Sequence, residues 1–281
     1  MDPEEPLTLS RGAGRVIRLE VAYDGAPYSG WQVQPSQRVA TVQGALQDAV
    51  AKVTGRRAEV VGSGRTDAGV HAVCQTAAFR TDSSIPPERM AAALNTYLPP
   101  SIRVLRSRLE EDGFHPIRDA IKKRYRYLLS DGHPADPLLA GRVWTVLRRL
   151  DLDRMIQAAR HIPGTRDFAA FQSAGSPRVS TVRTIFDLTV TPLDWPRIDR
   201  TPFLPLHRRI IAIEVEADGF LYNMVRSIAG TLAAFAQGRA GFENPDDMAA
   251  VIASRDRARA GATAPPHGLY LLGALYPGDT L

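Results

Sequence analysis

One order of elements, repeated along the chain, limits the possible folds more than any other feature. Val16–Tyr23 alternates, with Ile17, Leu19, Val21 and Tyr23 on one side and Arg18 and Glu20 on the other, which predicts a half-buried strand. Thr41 stands as N-cap to a helix whose apolar face is Val42, Leu46, Ala49, Val50 and Val53, with Gly55 as its stop. Ala58–Val61 and Val73–Phe79 read as two strands. Pro86 and Pro87 open a second helix with Met90, Leu94 and Tyr97 on one stripe, and Pro99-Pro100 closes it. Ile102–Leu109 reads as a fourth strand. The order is β-α-β-β-α-β, a split βαβ arrangement.

The same order is predicted again further on. Ile121–Leu129 reads as a strand. Asp151 caps a helix carrying Leu152, Met155, Ile156 and Ala159. Val182–Val190 and Ile210–Ala217 alternate as strands, Phe220–Gln237 is helical, and a short helix follows Asn244-Pro245. Leu269–Tyr276 closes as a strand. The predicted class is α+β: two ferredoxin-like (βαββαβ) halves with a joined antiparallel sheet and helices on one face. The halves are expected at residues 16–112 and 113–281, behind a disordered tail, Met1–Arg15. Pro192–Arg209, rich in proline and basic residues, is expected as an inserted surface loop.

Charge bears on the partner. The chain has 281 residues, 35 Lys and Arg against 30 Asp and Glu, and a net charge of +5, with arginine far outnumbering lysine. Guanidinium forks match phosphate, so a polyanionic partner is favoured. Cys74 is the one cysteine, which excludes an internal disulfide and a cysteine zinc site. The six histidines are scattered without ligand spacing, and no metal is expected. No apolar run approaches the roughly 20 residues of a membrane span, and the N-terminus lacks a signal-peptide pattern, so a cytoplasmic protein is expected.

Several chemistries are excluded by motif. There is no GxxxxGK[ST] loop, the GSG at residues 62–64 opens into a strand rather than a helix, and no serine sits in a nucleophile elbow. Three stretches remain. Gly62–Ala72, GSGRTDAGVHA, sets Arg65 and Asp67 on a tight turn between two strands, where glycines permit close approach of a partner. Taken alone, such a run is more often a β-turn with a self-capping aspartate. Lys122–Tyr127, KKRYRY, places Tyr125 and Tyr127 on one strand face and Lys122, Arg124 and Arg126 on the other, as in sheets that stack bases and hold phosphates. Tyr125 is expected to be exposed and Tyr127 to be core. In GFLYNMVRS, Arg226 falls on a helix face with Asn223, Ala229, Gly230 and Ala233, small enough to admit an anionic partner.

These three stretches, in this order, closely resemble the tRNA pseudouridine synthase A family. GTRDFAAFQSAG (164–175), STVRTI (180–185) and APPHGLYL (264–271) fit it as well, so the resemblance runs from about Val16 to the C-terminus. The resemblance implies isomerisation of uridine to pseudouridine at positions 38–40 in the anticodon stem-loop of tRNA, without metal or organic cofactor. It implies Asp67 as nucleophile, Arg226 as its paired arginine, Tyr125 stacked on the uracil, and Arg65 holding the nucleotide out of the helix. Lys122, Arg124 and Arg126 are weaker candidates for RNA contact. A homodimer is implied by the resemblance alone. A non-catalytic RNA binder needs no such carboxylate, and a phospho-hydrolase would need Mg²⁺ with further carboxylates.

Overall fold

A computed structural model describes residues 14–34, 39–173, 180–194 and 209–279. The expected tail lies outside the described residues up to residue 13, and so does 195–208 of the expected loop. The fold is mixed α+β with mostly antiparallel strands and, among the described residues, five α-helices. No helix among them is long and apolar enough to cross a membrane. The chain divides into two compact units: everything up to Lys123 together with Tyr270 onwards, and Arg124–Leu269. The first division falls inside a strand, later than Asp112. The closing residues count with the first unit because they pair with one of its strands.

In the first unit the elements are β1 (Arg15–Tyr23), α1 (Val42–Thr54), β2 (Val61–Gly62), β3 (His71–Thr81), α2 (Pro87–Asn95) and β4 (Ile102–Glu110). β1 lies between β4 and β3, antiparallel to both, and β2 pairs antiparallel with β3 on that strand's other side. The closing strand β10 (Leu269–Leu275) runs parallel to β3, matching Tyr270 with His71 and Leu271 with Ala72. Arg15, expected in the tail, is the first residue of β1 and donates hydrogen bonds to the Ser83 and Ile85 carbonyls.

Local chemistry sets the helix ends. The Thr41 hydroxyl accepts from the Gly44 N–H, and Gly55 terminates α1 at φ 76°, a conformation that costs glycine nothing. Ile17, Leu19 and Val21 of β1, Leu46 and Val50 of α1, and Met90 and Leu94 of α2 are all buried. Tyr97 departs from expectation. It lies beyond the end of α2 and is 52% exposed, with the Lys52 ammonium 5.5 Å from its ring centroid. The expected strand Ala58–Val61 is reduced to β2 because only Val61 and Gly62 find partners, Ala78 and Ala77.

The second unit continues β5 (Lys122–Asp131) and adds β6 (Trp144–Val146), α3 (Leu152–Ala159), β7 (Gly164–Asp167), β8 (Val182–Asp194), β9 (Arg209–Ala217), α4 (Met224–Gln237) and α5 (Met248–Ser254). β5, β9, β8 and β7 are hydrogen-bonded in that order, with β6 parallel to β5. β6 and β7, too short to show alternation, are absent from the sequence-based expectation. Pro192–Asp194 and Arg209, assigned there to the loop, are strand residues paired with Ile211, Ile210 and each other. The Asp151 carboxylate caps α3 through the Arg154 N–H.

Candidate active site

The Arg65–Asp67 turn is held from several sides within the first unit. Trp31, 1% exposed, lies against Gly62, where a Cβ would come 2.6 Å from its ring. Its backbone N–H donates to the Thr66 carbonyl at 3.0 Å. Gly30, at φ +92°, leaves room for the same carbonyl, and Gly25 approaches Val70 so closely that a Cβ would sit 1.9 Å from its carbonyl oxygen. The Val70 N–H closes the turn onto the Asp67 carbonyl at 3.1 Å. Beneath the turn, the Tyr23 and Thr66 hydroxyls share a hydrogen bond of 2.7 Å. The Gln75 amide donates to the Gly64 carbonyl at 2.8 Å and accepts from the Ser63 hydroxyl at 2.5 Å. Lys123 donates its ammonium to the Ser63 carbonyl. The Arg65 side chain is exposed and Asp67 half-buried.

His71 ends the motif as a buried side chain stacked on Tyr270, with ring centroids 4.8 Å apart. Its Nδ1 accepts from the Gly25 N–H at 3.1 Å, which ties the Asp24–Gly30 loop to the start of β3. Burial drives the Tyr23 phenol far above its usual range, so it remains a neutral hydrogen-bonding group.

The KKRYRY strand meets expectation at Tyr127 and departs from it at Tyr125. Tyr127 is fully buried, donating to the Pro265 carbonyl at 2.8 Å. Tyr125 was expected to be exposed, but it is only 8% exposed and meets Phe220 edge-on at 5.0 Å. The apolar turn ahead of α4 covers it. On the other face Arg124 and Arg126 both bind Glu214 of β9, at 2.6 and 2.5 Å. A single carboxylate between two guanidinium groups offsets part of the charge that phosphate would meet.

α4 also departs from the sequence reading. It starts at Met224, because Asn223 adopts φ 61°, a left-handed conformation uncommon outside glycine. Asn223 then donates from its amide to the Ser173 hydroxyl at 3.0 Å. The helix is buried nearly all round. Its small-residue face holds the chain's own Gly261–Ala264 segment rather than open space: a Cβ on Gly230 would lie 1.8 Å from the Ala262 carbonyl oxygen. Arg226 is fastened there, Nε donating to the Ala264 carbonyl at 2.8 Å and Nη1 to the Asn223 side-chain oxygen at 2.6 Å. The Ala264 N–H returns to the Arg226 carbonyl. Nearby, burial lowers the His267 pKa first and the Arg226 charge lowers it further, against a raising hydrogen bond with the Val143 backbone. Among the described residues no group of three or more His, Cys, Asp or Glu could hold a metal ion.

Asp67 and Arg65 thus share one turn of the first unit, while Tyr125 and Arg226 belong to the second, connected through the Phe220–Asn223 turn that touches both. A family profile described as tRNA pseudouridine synthase matches residues 20–113 and 158–277. The chain belongs to the tRNA pseudouridine synthase family. The tRNA pseudouridine synthase A of Thermoanaerobacter sp. (strain X514) is 40% identical over 262 residues, 93% of this chain and 100% of that one. That of Acetivibrio thermocellus is also 40% identical with the same coverage. The tRNA pseudouridine synthase A 2 of Clostridium tetani is 38% identical over 93% of this chain and 99% of its own. Members of this synthase family are isomerases that convert uridine in tRNA to pseudouridine.

The sequence reading missed the residues that hold the site together: Tyr23, Trp31 and Gln75 around the aspartate turn, and Ser173 and Asn223 around α4. Some signal was available. Trp31 follows directly on a turn-rich loop, and Ser173 and His267 lie inside stretches already matched to the family.

Proposed function

We propose that this protein isomerises uridines at positions 38–40 in the anticodon stem-loop of tRNA, with Asp67 as the nucleophile on a flipped-out base. The observation that carries this reading is the Asp67 turn: a half-buried carboxylate on a loop fixed through Thr66, Gly64 and Val70. A fixed backbone suits a group that must meet one atom of a mobile substrate.

The base leaves the stack at a cost of a few kcal/mol before any side chain reaches it. Arg65, exposed on the same turn, holds the extruded nucleotide. The Asp67 carboxylate attacks C1′ or C6 of uracil, and both routes lead to the same exchange. The N1–C1′ bond breaks, the base turns, C5 bonds to C1′, the bond to Asp67 breaks to return the carboxylate, and C5 loses its proton while N1 gains one. Arg226 supplies the cation that keeps the nucleophile ionised as water is excluded. Tyr125 stacks on the uracil. Lys122, Arg124 and Arg126 contribute more weakly to RNA binding, since Glu214 already engages two of them.

We assign the fold to two ferredoxin-like halves with a joined sheet and helices on one face. In each half the first strand pairs with the third and the third with the second, as in β1–β3–β2 and β5–β9–β8. The protein acts as a homodimer in the cytoplasm. The test is release of tritium from tRNA labelled at uridine C5. Asp67→Asn should bind tRNA as the parent does and lose turnover by at least about 10³-fold. Substantial release by that variant would assign the nucleophile elsewhere.

A further inference from the structure

We infer that Tyr23, acting with Gln75, is a positioning residue for Asp67. This rests on the reading of Asp67 as nucleophile. Arg65 and Asp67 flank Thr66, and the structure holds the turn at Gly64 and at Thr66. Gln75 fixes the Gly64 carbonyl, and Tyr23 fixes the Thr66 hydroxyl. The fixing groups are themselves immobile: Gln75 is 0% and Tyr23 5% exposed, against 7% for Thr66 and 0% for Ser63.

The alternation of the chain makes the device work. Thr66 points its hydroxyl into the unit, while Arg65 is exposed and Asp67 half-buried. Locking Thr66 at its hydroxyl by Tyr23 and at its carbonyl by the Trp31 N–H removes rotation of the peptide units on either side. The backbone from which the Asp67 side chain projects is therefore held in one orientation. The Tyr23 ring is anchored in turn, 6.0 Å from the Trp31 ring and on a strand paired on both sides. A phenol buried this deeply stays protonated throughout the working pH range, so its role is geometric and not acid–base.

Tyr23→Phe keeps the ring and removes the hydroxyl; Thr66→Val removes the other half of the same bond while keeping the branched shape. Each should lower the single-turnover rate of tritium release by roughly 10- to 100-fold, the scale expected for displacement of a reacting group by about 1 Å. The KM for tRNA should stay within about twofold, because neither group faces the RNA. The double variant should be no slower than the worse single one, since both remove one interaction. Equal rates for parent and Tyr23→Phe, with Asp67→Asn inactive, would overturn the positioning role and leave the nucleophile standing. Multiplicative losses in the double variant, or a parallel rise in KM, would overturn it as well. Turnover retained by Asp67→Asn would remove the nucleophile, whatever Tyr23→Phe does. Thermal melting of each variant guards against simple unfolding: a rate loss in protein melting within a few degrees of the parent supports the proposal, and a rate loss that tracks the melting temperature overturns it.

Discussion

The aspartate turn of the first unit and the α4 region of the second use small residues for opposite ends. Around Asp67, Gly25, Gly30 and Gly62 let backbone and the Trp31 ring close in from below, which presents the carboxylate while fixing the chain under it. Around Arg226, Gly230 and Gly261 let the 261–264 segment lie directly on the helix, and that segment captures the guanidinium. The glycines of Gly62–Ala72 and the small face of α4 both read in sequence as room for a substrate. In both the room is taken by the protein itself, and the charged group is half-buried in each, with Arg226 tied to the Ala264 carbonyl.

The comparison breaks most sharply at the glycines. Gly25→Ala and Gly230→Ala each drive a Cβ to within 2 Å of a carbonyl oxygen, 1.9 Å from Val70 and 1.8 Å from Ala262. Each should cost about 1–3 kcal/mol or more in denaturant unfolding. Gly113→Ala, with nothing within 4 Å of the added Cβ, should stay within about 0.5 kcal/mol of the parent. If Gly230→Ala were equally silent, the packing of 261–264 on α4 would not be tight.

A smaller effect is expected at Arg226 itself. Arg226→Lys keeps the charge but cannot donate to Ala264 and Asn223 together in the fork geometry. We expect about 10- to 100-fold slower tritium release with little change in tRNA binding. A lysine variant of full activity would show that charge suffices and that the tether does not.

The smallest effect sharpens the contrast through pH. In the first unit Asp279 binds Arg18 and Arg108, at 2.7 and 2.6 Å. Burial alone would raise its pKa, but the two arginines outweigh that and hold it below the usual carboxylate value. A carboxylate lowered on folding adds stability that is full above its unfolded pKa of about 3.9 and is lost as pH falls through the folded value. Melting temperature should therefore fall on acidification below about pH 4, and Asp279→Asn should flatten that fall.

Much of this was legible in sequence where one residue's own chemistry decides. Thr41 and Gly55 end α1 and Asp151 caps α3 because hydroxyl, carboxylate and absent Cβ act within one turn. β1, β8 and β9 followed from alternation. The start of α4 was not legible, since Asn223 turns left-handed only in a setting that includes Ser173, fifty positions away. Nor was the covering of Tyr125, which depends on Phe220, or the pairing of Arg124 and Arg126 with Glu214 across two strands.

The sequence by itself determined the order of the main elements, the family, and the run in which Arg65 and Asp67 stand, because these depend on residue type and spacing. Only the tertiary structure decided which groups hold that run. Tyr23, Trp31 and Gln75 come from other parts of the chain, and hydrogen bonding between buried groups is set by where folding brings them. The same reason converts the small face of α4 from a vacancy for an anion into a seat for residues 261–264.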